Sequence, residues 1–110
     1  MKTKHLLPLA IVALLSISVS SFAQETKWDK NHPRRDQVND RLKNQNERID
    51  RKEADGKMSP AEASKLHHED HAIRKEERNM ASRHDGHITK AEQNKLNRQE
   101  NHVSRQIKRH

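Results

Sequence analysis

The sequence predicts an all-α protein: three helices forming two consecutive antiparallel helical hairpins of an EF-hand-like repeat, preceded by a cleaved signal peptide. Three observations carry that expectation. Apolar residues from position 38 onward recur at helical spacing. The stretch EADGKMSPAE (53–62) returns thirty residues later as RHDGHITKAE (83–92), so Asp-Gly, a hydrophobic residue, Ser or Thr, and Glu recur in register. Both copies join a helix-stopping glycine to a helix-starting capping pattern. The repeating unit is helix, Asp-Gly turn, capped helix, and the two units share the middle helix.

Residues 1–23 have the layout of a secretory signal. Lys2 and Lys4 precede an apolar stretch from Leu6 to Val19, and Ser21 and Ala23 are the small residues of a cleavage site. Pro8, Ser16 and Ser18 break the apolar run, which is too short for a transmembrane anchor. The expected address is the periplasm or the extracellular space, with no transmembrane segment in the mature chain. Residues 24–35 (QETKWDKNHPRR) are polar without a period and read as a flexible tail.

The helical two-repeat domain is expected over residues 36–110, with turns at 55–58 and 85–88. In the first helix Val38, Leu42, Gln45 and Ile49 form one narrow face. Gly56 suits the left-handed position after the helix end. Ser59-Pro60-Ala61-Glu62 starts the second helix: Ser59 accepts from the Glu62 N–H, Glu62 reaches back to Ser59, and Pro60 occupies a position that needs no N–H donor. Leu66, Ile73 and Met80 then follow in heptad steps to Arg83. Thr89-Lys90-Ala91-Glu92 repeats the start signal for a third helix carrying Leu96, Val103 and Ile107, with Ile88 just ahead of it. Short turns place successive helices antiparallel, as a thin bundle or an open zigzag. Pairs such as Glu47–Arg51 and Asp70–Arg74 are expected on the helix surfaces.

Composition narrows the function. Cleavage after Ala23 leaves 87 residues with 21 of the 23 Lys and Arg and all 16 acids, a net charge of +5. The mature chain has no Cys, one aromatic (Trp28) and nine large aliphatics: Val38, Leu42, Ile49, Leu66, Ile73, Ile88, Leu96, Val103 and Ile107. Such a chain has little material for a buried catalytic pocket. It also lacks a Cys nucleophile, a G-x-S-x-G turn and a phosphate-binding glycine loop. The expectation is a protein that is not an enzyme.

Asn44-Gln45 with Arg48-Ile49, Gly56-Lys57-Met58-Ser59 with Glu62, Gly86-His87-Ile88-Thr89 with Glu92, and the run from Asn97 to Ile107 form a longer pattern. Over about residues 38–107 it resembles a family of small exported bacterial helical proteins of unknown function with G-x-[LI]-[ST]-x-x-E repeats. The resemblance implies an exported helical protein and brings no activity with it.

Two kinds of candidate site stand out. Calcium loops of the EF-hand type take oxygens at positions 1, 3, 5, 7, 9 and 12 around a glycine at 6. The candidates are Glu53, Asp55 and Glu62 in the first turn and Asp85 and Glu92 in the second, but position 1 falls on Arg51 and Ala81, which offer no side-chain oxygen. Calcium is therefore the less favoured cofactor, and capping alone accounts for the matched residues. His67, His68 and His71 form the stronger candidate. His67 and His71 lie one helical turn apart and can chelate zinc or copper, with His84 and His87 as weaker candidates and His102 as a further donor. A closed zinc site needs four ligands.

The interleaved charges form no basic stripe and the helices carry no aromatic, so nucleic acid is not an expected partner. Anionic envelope polymers are the more available polyanions. Three function classes result: an exported binding protein holding a transition metal through its histidines, a structural or interaction protein that oligomerises or meets an envelope partner without metal, and a degenerate calcium binder.

Overall fold

The computed structural model describes residues 26–110, so the expected signal peptide lies outside the described residues. These residues form α1 (Lys27–Asn31), α2 (Pro33–Ala54), α3 (Pro60–Ser82) and α4 (Lys90–Lys108), with no strand among them. Each of the three long helices packs on the other two, which makes a closed bundle and not an open zigzag. Arg35 near the start of α2 bonds Glu77 near the end of α3, and Lys95 near the start of α4 pairs with Glu76. Hence α2 and α4 run parallel and α3 runs against both.

All nine large aliphatics are buried, joined by Met58, Met80, Ala63 and Ala81. A fully buried side chain of this size contributes about 1.5–3 kcal/mol. The narrow stripes therefore meet inside one chain. From Met58 to Asn79, every residue has the same degree of burial as the residue thirty positions later. The sequence repeat is thus a repeat of environment.

The helix starts follow from their caps. Ser59 and Thr89 accept from the backbone N–H groups of Glu62 and Glu92, both at 3.1 Å. Glu92 completes the reciprocal box by accepting from the Thr89 N–H at 2.9 Å. Glu62 does not complete the box expected at Ser59: its carboxylate faces the His110 ring at 3.7 Å instead. Met58, just before the cap, and Ala63, four residues into the helix, are both buried, as in a hydrophobic staple.

The two turns close differently. In the first, Gly56 (φ 74°) bonds back to the Glu53 carbonyl and Lys57 to that of Lys52, the paired bonds of a Schellman end. In the second, Asp85 (φ 55°) and Gly86 (φ 91°) are both left-handed, and Gly86 bonds back to Ala81 at 2.8 Å.

The structure departs from the expected tail. Residues 27–31 are helical, and α2 begins at Pro33 instead of near Asp36. Thr26 and Asp29 form a capping box for α1. Trp28 stacks on His32 (centroids 4.3 Å apart), and His32 stacks in turn on His87 (4.7 Å). The short helix is thereby pinned to the second turn.

Candidate functional site

The bundle separates the three clustered histidines. His67 sits at the α2–α3 seam, with Nδ1 2.8 Å from Asn46 Oδ1 and Nε2 2.8 Å from Asp50 Oδ1. Both nitrogens being engaged, His67 is not presented to a metal beside His71. His68 and His71 are exposed on α3, and neither ring makes a hydrogen bond or ion pair among the described residues.

The weaker candidates are held by other contacts. His84 Nε2 lies 3.4 Å from Glu92 Oε2, and His87 is stacked on His32. His102 lines an open groove between α3 and α4 with Glu69, across from the pair formed by Glu76 and Lys95 at 3.1 Å. The groove has a volume of about 670 Å³, with Ala72, Ile73 and Val103 among its apolar lining. No group of three or more His, Cys, Asp or Glu side chains able to hold a metal ion is assembled among the described residues.

Among the calcium-loop candidates, Glu53, Asp55 and Asp85 are exposed. Glu62 and Glu92 face His110 and His84. The backbone hydrogen bond from Thr89 holds the Glu92 carboxyl below its usual range, opposed by desolvation and assisted by nearby His84. The two glutamates at position 12 therefore serve the helix starts and the bundle ends.

The less expected feature lies inside. Gln45, Asp70, Glu77, Gln93 and Glu100 are buried among the aliphatics. Only Gln45 was legible, as part of the α2 face. Asp70 is not the surface partner of Arg74 that its spacing suggests, because its side chain points into the core. The signal was present: Ala63, Asp70 and Glu77 interleave with Leu66, Ile73 and Met80 at alternating steps of three and four, the two inward positions of a heptad.

Glu77 is neutralised by Arg35, whose Nε donates at 2.6 Å. Glu100 has Arg41 Nη1 at 3.6 Å from Oε1, too long for a hydrogen bond. Burial pushes the Asp70 carboxyl up to about 7, opposed by His67. Burial also pushes Glu100 up to about 8, against the pull of Arg41 and with repulsion from Asp70 and Glu77.

A ladder of polar contacts ties α2 to α4. Gln93 and Asn97 donate to Gln37, Arg41 reaches Asn97 and Asn101, Gln45 donates to the Glu100 carbonyl, and Arg48 donates to Ser104. Arg34 and Arg35 donate to the carbonyls of Ile88 and Gly86. Four arginines of α2 are thus engaged within the fold. No helix among the described residues is long and apolar enough to cross a membrane. Comparison with known proteins finds no matching family model, no similar curated protein and no similar solved structure.

Proposed function

We propose that the protein is an exported, non-enzymatic binding module that takes a divalent transition metal, zinc or copper, on the open face of α3 through His68 and His71. One observation carries this reading. The two imidazoles are exposed on neighbouring positions of one helix and have no hydrogen-bond partner, so their nitrogens are available. Two imidazoles leave the remaining metal positions to water or to a second molecule, so the affinity is modest. Export is supported by the layout of residues 1–23 and by the resemblance of the repeats to small exported helical proteins. The non-enzymatic part is supported by the absence from the sequence of nucleophile and phosphate-loop motifs.

Zinc titration followed by the histidine ring resonances tests this reading. The expected result is saturable shifts at His68 and His71, lost in the double variant His68→Ala/His71→Ala and retained in His67→Ala. A zinc response that survives loss of both His68 and His71 contradicts it. No response to zinc or copper leaves the metal-free interaction role as the better account.

A further inference from the structure

We propose that the joined outer faces of α3 and α4 form a docking surface for a linear polymer that bears phosphate groups and no bases. Along the sequence the acids and bases of these two helices interleave, and the bundle separates them. Every exposed residue of α3 and α4 is neutral or basic. The acids are turned away from solvent: Asp70, Glu77 and Glu100 are buried, and Glu62, Glu69, Glu76 and Glu92 are half-buried. Each of the half-buried four meets a partner within the fold, respectively His110, Gln106, Lys95 and His84.

The bases are left outward. Lys65, Lys75 and Arg78 of α3 and Arg98, Arg105 and Lys108 of α4 are exposed, and none has a hydrogen bond or ion pair among the described residues. The contacts Glu62–His110, Glu69–Gln106 and Glu76–Lys95 fix how the two antiparallel helices align. At that alignment Lys65 stands level with Lys108, Lys75 with Arg98, and Arg78 with Lys95. The thirty-residue repeat is the reason, since Lys65, Lys75 and Arg78 recur as Lys95, Arg105 and Lys108. With the rise of an α-helix, these rungs of positive charge cover about 20 Å along the bundle.

The other side of the bundle has the opposite character. On α2 the acids Asp40, Glu47, Asp50 and Glu53 are exposed. A polyanion is therefore drawn to the α3–α4 side and repelled from the α2 side. Rungs that succeed one another along one direction suit a chain of repeating anions. Lysine offers phosphate a compact charge and arginine a fork of donors.

The same surface disfavours other polyanions. No Phe, Tyr or Trp lies on α3 or α4 to stack a base. No large hydrophobic side chain is exposed there to enter a bilayer, the exposed one among the described residues being Trp28 of α1. A base-free phosphate polymer is the occupant that needs charge alone. No metal is required, so the surface stands or falls independently of His68 and His71.

The test is binding of fluorescently labelled long-chain inorganic polyphosphate to the full described chain, with chelator present and salt varied. Six phosphate contacts predict a log–log slope of affinity against salt of about −4. Lys75→Gln/Arg98→Gln/Arg105→Gln should weaken binding at least about tenfold and roughly halve that slope. Lys30→Gln/Lys43→Gln/Arg51→Gln removes the same charge from α1 and α2 and should weaken binding less than about twofold. All six side chains are exposed, so both variants should keep the native helicity by circular dichroism. Equal weakening by the two variants overturns the proposal, because net charge and not the sorted face would then carry binding. Absence of binding by the wild-type chain at low salt overturns it as well. Binding to single-stranded DNA, or to vesicles rich in phosphatidylglycerol, that is at least as tight as binding to polyphosphate also overturns it, by making a nucleic acid or a membrane surface the occupant.

Discussion

Arg35 and Glu77 meet at 2.6 Å between the first turn of α2 and the last turns of α3, in a contact where Glu77 is almost wholly buried. The same guanidinium donates to the Gly86 carbonyl at 3.0 Å and lies 5.0 Å from the centroid of the Trp28 ring. One side chain thus joins α1, α2, α3 and the second turn. Removing it leaves a carboxylate stranded in the core, which costs about 3–5 kcal/mol. Arg35→Ala should lower the unfolding free energy read from urea melts by that amount, whereas Arg35→Met/Glu77→Met should recover much of the loss. A double change that costs as much as the two single changes added together would show that the pair is not coupled.

The two turn glycines should respond unequally. A non-glycine residue in the left-handed region costs about 1–2 kcal/mol. At Gly56 an added Cβ meets nothing within 4 Å, whereas at Gly86 it lies 3.7 Å from His32 Nε2 and the φ of 91° is farther from the left-handed helical well. Gly56→Ala should therefore show only the backbone cost. Gly86→Ala should cost more and also change Trp28 fluorescence, since Trp28 is stacked on His32.

The helix caps predict a difference between repeats and an acid limb. Ser59→Ala and Thr89→Ala should each cost about 1 kcal/mol. The Thr89 change should cost more, because it also disturbs the reciprocal bond that the Thr89 N–H donates to Glu92. Glu92 has a carboxyl held below its ordinary value of 4.5. Its contribution is present above that value and is lost as pH falls through the lowered one. Glu92→Gln should flatten stability on the acid side and leave the alkaline side unchanged, as read by melts from pH 2 to 9.

His67 and the pair His68/His71 should separate in two assays. His67 joins α2 to α3 through Asn46 and Asp50, so His67→Ala should cost about 1 kcal/mol of stability and leave zinc binding intact. His68→Ala/His71→Ala should be nearly neutral in stability and abolish zinc binding. The reverse pattern would return His67 to the metal site.

Much of the architecture was legible because it is written in short-range chemistry. Ser59, Thr89, Gly56 and Gly86 mark helix starts and stops through bonds that span only a few residues. The nine aliphatics mark the inward faces, and all nine are buried. Two things were not legible. The α1 region looked like a tail because its order depends on His87 and Gly86, more than fifty residues away, and no local period signals that contact. Asp70 reads as a surface residue paired with Arg74, and nothing in hydropathy marks Glu77 or Glu100 as inward, because hydropathy assigns charge to solvent. Only their heptad spacing points inward, and their environment depends on Arg35, Arg41 and Gln45 of another helix. For the same reason, the histidine cluster read as one group along α3 is divided once α2 packs against His67.

The surface of α3 presents His68 and His71 without a partner only if the bundle is complete within one chain. Equilibrium urea unfolding at pH 6, followed by far-ultraviolet circular dichroism over a hundredfold range of protein concentration, tests this directly. The prediction is one cooperative transition with the same midpoint and the same native helicity throughout. A midpoint that rises with concentration, or helicity lost on dilution, would show that the stripes are completed between copies and would contradict it.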